Sequence, residues 1–216
     1  AMDLAQRDFP IEVELKSLSE LRGWVHRLIT ATAPPTTRIA SLVLELSRAL
    51  AREVAADPRA LDEIEWRQLE LMLGAVFDEL GFDAEVTPSA KDGGKDLILR
   101  VSDRQDSAIW AVEIKHWRSG QRVGKGKVRD FVEVIARDGY EGGLFLATHG
   151  YTQDAFRALS EVERTRLRVG TEEKVLSLCR TFVKAERGLW SPASDDAVAQ
   201  LLVDATLTPP VAGTWQ

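Results

Sequence analysis

The feature that most restricts the fold of this chain is a change in the spacing of apolar residues after Gly81. Before the glycine, residues 62–80 carry apolar side chains three and four positions apart, which predicts an amphipathic helix that ends there. After it, the segments 82–86, 95–102 and 107–115 alternate with a period near two, which predicts three short strands. Helical spacing then returns, so the pattern favours a domain of class α/β.

The rest of the chain continues to alternate between the two periods. The run at 143–148 is continuously apolar, as expected for a strand that is covered on both faces. The other predicted elements are a helix over 123–137, a helix that Thr152 caps and that runs to about 163, a strand over 167–169, a helix from 171 to 188 and a short helix near 197–202. This order predicts a layered fold with helices around a mixed central sheet.

Two more helices are predicted ahead of this domain, over 11–31 and 36–57, with consecutive prolines between them. Each has an apolar stripe, so the pair should form a hairpin that buries its stripe on the main domain or on another subunit. We therefore divide the chain into an N-terminal helical hairpin for packing or oligomerisation (1–60), the main domain (61–190), and a C-terminal helical segment with a loose tail (191–216).

Composition restricts where such a chain can work. The sequence is 44% hydrophobic and 29% charged, as in globular proteins, and no stretch approaches the roughly 18 apolar residues of a membrane span. The N-terminus is acidic and lacks the apolar core of a secretion signal. Cys179 is the sole cysteine, which excludes an internal disulfide and a cysteine-based zinc cage. We expect a protein of the reducing cytoplasm.

The net charge of −6 is concentrated in one segment, since residues 61–84 hold seven acids and only Arg67, whereas 1–60 and 85–216 each sum to zero. Residues 115–129 hold six bases and no acid. Such a local patch can bind phosphates even in an acidic protein, although a solvated loop and helix face would have the same composition. The six bases are Lys115, Arg118, Arg122, Lys125, Lys127 and Arg129.

Two acids and one base are predicted to meet at one end of the hairpin formed by the second and third strands. Glu113 and Lys115 share a face because alternate residues of a strand point the same way, and Asp96 opens the partner strand. The preceding Gly93 and Gly94 allow positive φ or close backbone approach. Carboxylates suit Mg²⁺, and a neighbouring ammonium can orient metal-bound water. Ordinary cross-strand charge pairs would give the same pattern.

Residues 68–156, roughly 40% of the chain, resemble the catalytic domain of Mrr-like restriction endonucleases in the PD-(D/E)xK nuclease superfamily. Lys95 departs from the family pattern, where an apolar residue stands. The resemblance rests on Leu69-Glu70, Leu80-Gly81-Phe82, Asp92-Gly93-Gly94-Lys95-Asp96, Val112-Glu113-Ile114-Lys115-His116-Trp117, Gly143-Leu144-Phe145-Leu146-Ala147-Thr148 and Tyr151-Thr152.

This resemblance implies a restriction-endonuclease-like three-layer core in 61–190 and a Mg²⁺-dependent DNA endonuclease in which Mn²⁺ can substitute. It implies that Asp96 and Glu113 are metal ligands and that Lys115 lies near the attacking water. Glu70 would be an accessory catalytic carboxylate, acting through a water on the metal or a contact to Lys115. For contact with DNA we predict Lys95, Trp117, Arg118, Arg122, Lys125, Lys127 and Arg129.

Three functions stay open. The first is an endonuclease that cuts duplex DNA, with defence against foreign DNA as the family expectation. The second is a degenerate nuclease-fold module that binds DNA or protein, and the third is a repair or junction nuclease on the same fold. No helix-turn-helix or zinc finger is recognisable. The sequence therefore leaves three questions open: which DNA is recognised, whether the chain forms a homodimer, and whether a recognition partner or a further domain outside this chain takes part.

Overall fold

A computed structural model describes residues 35–88, 93–102, 107–117, 119–192, 195–206 and 209. The predicted helix over 11–31 lies outside these residues, as do Arg118 and most of the predicted C-terminal tail. Within the described ranges, no helix is both long enough and apolar enough to cross a membrane.

The described elements follow the order predicted from the spacing of apolar residues. The helices are α1 (Pro35–Ala56), a 3₁₀ helix (Pro58–Glu63), α2 (Trp66–Glu79), α3 (Lys125–Arg137), α4 (Glu161–Arg166), α5 (Glu172–Glu186) and α6 (Asp195–Val203). The strands are β1 (Asp83–Val86), β2 (Leu97–Ser102), β3 (Ser107–Lys115), β4 (Gly142–Ala147) and β5 (Leu167–Gly170).

The five strands form one mixed sheet in the order β1-β2-β3-β4-β5. β1, β2 and β3 are antiparallel neighbours, with Leu97 opposite Val112, whereas β3, β4 and β5 run parallel, with Glu113 opposite Phe145. The start of β2 therefore meets the ends of β3, β4 and β5 at the same edge of the sheet. The predicted mixed sheet is confirmed, and its topology brings Asp96 and Lys115 to that edge.

Helices cover both faces of the sheet, which gives the predicted three layers. On one face, α1, α2, α5 and α6 enclose a core that includes Leu97, Val112 and Phe77. On the other face, α3 and the segment 152–160 pack on Phe145. The approach of α3 is close enough that a Cβ on Gly143 would lie 2.3 Å from Ile135 Cδ1.

Two predicted helix boundaries are wrong. The helix predicted over 62–80 is interrupted, because α2 begins only at Trp66, where Glu65 and Gln68 form a capping box. Thr152 does not cap a helix: its hydroxyl donates to Asp154, and residues 153–158 form turns. Ser160 caps the short helix α4 instead.

The helix α1 packs on the main domain through its C-terminal half. Ala51 and Val54 are fully buried, and Arg48 and Arg52 bind carboxylates of α2 and α5 at 2.9 Å and 2.7 Å. The N-terminal half leaves part of its apolar stripe exposed, including Leu42, whose exposed fraction is 70%. Of the stripe from which this helix is predicted, Ile39, Leu42, Val43 and Leu46 are exposed and only Leu50 packs against the main core. The role of the N-terminal segment in packing or oligomerisation stays a prediction.

Candidate active site

A pocket of about 340 Å³ opens at the edge of the sheet where β3 ends and β2 begins. Helix α2 forms one wall, and the end of β3 with the two residues after it forms the other. The lining residues are Trp66, Glu70, Asp96, Ile114, Lys115, His116 and Trp117. Three of the four predicted catalytic residues therefore share one pocket.

Asp96 is held rigidly at this edge by backbone hydrogen bonds. Its backbone N–H donates to the Val112 carbonyl at 2.8 Å, and its Oδ2 accepts the Ile114 N–H at 2.7 Å. Gly93 and Gly94 adopt the predicted positive φ, at 61° and 86°. Asp96 is 7% exposed, and these bonds fix the orientation of its carboxylate at the pocket.

Glu70 is buried on the helical wall of the pocket, with an exposed fraction of 3%. Its Oε2 accepts from Arg67 Nη1 at 2.6 Å, and the same nitrogen donates to the Thr87 carbonyl at 3.0 Å. Burial raises the pKa of Glu70 to about 7, the Asp96 carboxylate adds to the rise, and Arg67 opposes it. The two neighbouring carboxyl groups therefore repel each other in a place where little water screens them.

Glu113 and Lys115 form an ion pair, so their side chains share a face of β3 as predicted. Both are largely enclosed, with side-chain exposures of 11% and 21%. Glu113 is not among the residues that line the pocket, although its partner Lys115 is. The structure thus brings Lys115, Asp96 and Glu70 into the pocket and keeps Glu113 beside it.

The carboxylates of this edge fit a magnesium ion by their chemistry. Mg²⁺ is usually held by one or two carboxylates together with water and substrate phosphate. Asp96 and Glu70 offer such a pair, and the raised pKa of Glu70 indicates that Arg67 compensates their charge incompletely. No group of three or more His, Cys, Asp or Glu side chains is gathered for a metal in the described part of the chain. The assignment of Asp96 and Glu113 as metal ligands stays a prediction.

His116 connects three parts of the site. Its Nε2 lies 2.9 Å from the Ile64 carbonyl, so Nε2 carries the proton and donates, since a carbonyl can only accept. Its Nδ1 lies 2.9 Å from the Thr148 hydroxyl. These bonds join the end of β3 to the end of β4 and to the segment that enters α2.

Replacing His116 with alanine should lower the free energy of unfolding by about 1–3 kcal/mol, because the Ile64 carbonyl loses its His116 donor and the Thr148 hydroxyl keeps only its long 3.4 Å bond to the Lys115 carbonyl. Urea denaturation would measure the loss. His149, whose ring stacks on His116 and is only half-buried, is the matched control, and its alanine variant should lose less. An equal loss in both variants would contradict this role of His116.

Most of the side chains predicted to contact DNA lie outside this pocket. Lys95 Nζ lies 2.8 Å from Asp138 and 5.6 Å from the centre of the Tyr140 ring. Arg129 binds Glu163 at 3.0 Å. Intramolecular partners therefore engage these two predicted phosphate contacts, and a third, Lys127, lies 3.7 Å from Asp130.

The remaining bases lie along the same edge or at the start of α3. Lys125 and Lys127 are exposed on the first turn of α3. Arg122 lines a separate pocket of about 390 Å³ together with His149. Trp117 alone of the predicted and described DNA contacts lines the carboxylate pocket. All seven stay predictions.

Two residues of the site were missed from the sequence. Arg67 fixes Glu70, and the signal for it was present: it is the only base of residues 61–84 and stands three positions before Glu70 on one helix face. Trp66 lines the pocket although 50% of it is exposed. No local pattern indicated Trp66, because the helix had been predicted to start earlier.

A curated protein of similar sequence matches most of this chain. It is 40% identical over 187 residues to the uncharacterized protein y4cE of Sinorhizobium fredii (strain NBRC 101917 / NGR234), a match that covers 87% of this chain and 48% of the relative. The chain thus spans about half the length of this curated relative.

Solved restriction endonucleases share the fold only distantly. The DNA modification-dependent restriction endonuclease AspBHI matches with a TM-score of 0.38 and 16% identity, over 90% of this chain and 43% of that chain. MspJI in complex with an oligonucleotide matches with a TM-score of 0.39 and 19% identity, over 80% and 37%.

The family comparison covers the described site. The sequence profile of the restriction endonuclease family (Mrr_cat) matches residues 61–179, which are more than half of the 216 residues. This range includes the strands β1 to β5, the helix α2 and all four predicted catalytic residues. The chain belongs to the restriction endonuclease family.

Proposed function

We propose that this chain carries the catalytic centre of a divalent-metal-dependent endonuclease that hydrolyses phosphodiester bonds of DNA. The observation that carries the proposal is the adjacency of Asp96 and Glu70 in one pocket with Lys115. Membership of the restriction endonuclease family supports the same reaction class. A buried pair of carboxylates can hold a divalent cation, and an ammonium beside them can stabilise the negative charge that develops on the phosphate oxygens.

The reaction forms a bond between a water oxygen and phosphorus and breaks a bond from phosphorus to a sugar oxygen, which leaves with a proton. Asp96, with Glu113 as the predicted second ligand and Glu70 acting from the pocket wall, would hold a Mg²⁺ ion, which would supply Lewis-acid stabilisation of the phosphate charge and easier ionisation of water. Asp96 contributes a carboxylate that cannot rotate, since its Oδ2 accepts the Ile114 N–H. Arg67 holds Glu70 in place from the other side.

Lys115 has two tasks in this proposal. Its ammonium pairs with the Glu113 carboxylate in a largely enclosed place. Because an ammonium has three N–H donors, Lys115 can also donate to a phosphate oxygen or to the attacking water while it retains Glu113. The position of Lys115 in the pocket lining supports this second task.

The proposal predicts that the full chain cuts duplex DNA in Mg²⁺ or Mn²⁺ and stops when a chelator is added. Plasmid DNA and linear duplexes, with and without modified bases, would be incubated with the protein and separated on gels. Cleavage should return when Mg²⁺ is restored in excess. Cleavage that persists in chelator would count decisively against a metal-dependent mechanism.

The wider role follows from the same reaction and is also a proposal. Cutting both strands requires two active sites or two visits, so we propose that two copies act together on a duplex. We further propose restriction of foreign DNA as the biological role, with recognition supplied by a partner or another domain. Sedimentation of the protein with a duplex, in calcium rather than magnesium, would test for two copies per DNA.

A further inference from the structure

We propose that Trp66 and Trp117 form an aromatic site that stacks on a nucleobase next to the phosphate to be cut. This inference rests on the proposed function, because it assigns a DNA contact to the same pocket. Both indoles line the pocket that contains Asp96 and Glu70, Trp66 from the start of α2 and Trp117 from just beyond the end of β3.

The exposed Trp66 side chain stands on a backbone that hydrogen bonds hold in place. The segment before it is anchored, because Ile64 is 4% exposed and its carbonyl accepts from His116. Glu65 and Gln68 then close a capping box that fixes the first turn of α2. Half of the Trp66 surface nevertheless remains in water, on a backbone that is ordered in advance. A large apolar ring held rigidly at the rim of a pocket is a typical binding contact.

Trp117 completes the site from the opposite wall. It is half-buried and packs against the core on the α3 side of the sheet, so its ring is supported from behind. The pocket between the two walls has a volume of about 340 Å³, within the range of small-molecule sites. An aromatic platform of this kind accepts any base, since every base has a π-face.

The charges in and near the pocket offer DNA few attractive phosphate contacts, so stacking can contribute to its binding. Asp96 and Glu70 repel a phosphate until a cation is bound, and the bases Lys95 and Arg129 are engaged by Asp138 and Glu163. Phosphate contacts close to the reacting group are therefore few among the described residues. Stacking supplies affinity that does not depend on opposite charge, and it therefore adds little to the salt dependence of binding.

The test measures how tightly the chain binds a mixed-sequence 20-mer oligonucleotide, in single-stranded and in duplex form. A dye on the DNA reports binding by fluorescence anisotropy, in calcium and at several salt concentrations. Trp66→Ala should weaken binding by about tenfold. The slope of log Kd against log salt should be unchanged, whereas Lys127→Ala should reduce that slope by about one. Trp66→Phe should bind within about threefold of the unaltered chain, and Trp66→Leu should bind as weakly as the alanine variant.

Leu189→Ala is the matched control, because Leu189 is also an exposed apolar residue, at 74%, and does not line the pocket. It should bind DNA as the unaltered chain does. Equal binding by Trp66→Ala and the unaltered chain would overturn the aromatic site while leaving the nuclease proposal intact, provided that the unaltered chain cuts DNA. Rescue by leucine as good as by phenylalanine would also overturn it. If the unaltered chain neither binds nor cuts DNA, both proposals fail.

Discussion

Replacing Asp96 with asparagine should lower the rate of DNA cleavage by about 10³-fold or more. The asparagine side chain has the same shape, and its amide oxygen can still accept the Ile114 N–H, so the hairpin edge should keep its structure. What is lost is the negative charge that would hold a divalent cation. Single-turnover cleavage in Mg²⁺, with thermal unfolding of the same sample, separates the loss of charge from a loss of fold.

The matched control is Asp78→Asn, because Asp78 is an exposed acid near the end of α2 that does not line the pocket. This variant makes the same change of charge outside the pocket and should cut DNA at the unaltered rate. We expect Glu113→Gln and Lys115→Met to lower the rate of cleavage as Asp96→Asn does. Each substitution removes one charge of the ion pair and leaves the opposite charge without its partner. Residual cleavage by Asp96→Asn at a tenth of the normal rate would exclude Asp96 as a principal ligand.

The sequence allowed the sheet and one part of the site to be predicted because both depend on local spacing. The change of period after Gly81 indicated the strands, and their alternation put Glu113 and Lys115 on one face, where the structure has them as an ion pair. The glycines before Asp96 indicated the positive φ values that turn the chain into β2. Each of these inferences uses residues fewer than six positions apart.

The parts that were not predicted depend on contacts between distant residues. His116 faces away from Lys115, as strand alternation predicts, but its partner on that side is the Ile64 carbonyl, 52 positions earlier. The segment after Thr152 forms turns rather than a helix, and Arg164 donates to its carbonyls at Leu159 and Phe156. Spacing rules contain no information about such bonds.

Replacing Glu70 with glutamine should stabilise the metal-free protein above pH 7 and impair metal-dependent cleavage. The pKa of Glu70 is about 7 in the folded chain, against an ordinary 4.5, so between these values the folded state binds more protons than the unfolded state. The free energy of unfolding therefore falls as the pH rises from 4.5 through 7. Glutamine removes this penalty, and we expect a gain of about 1–3 kcal/mol at pH 8 that disappears near pH 4.5.

Urea denaturation without metal at pH 8 and at pH 5 measures the gain, and Glu133→Gln on the exposed side of α3 provides a control that should show none. Mg²⁺ should then raise the melting temperature of the unaltered chain at pH 8 more than that of Glu70→Gln, because bound cations stabilise the state that binds them. The same carboxylate thus lowers stability when no cation is present and raises it when one is bound. A Glu70→Gln variant that is less stable than the unaltered chain at pH 8 without metal would mean that Arg67 already compensates both carboxylates, and the pocket would then have little need of a cation.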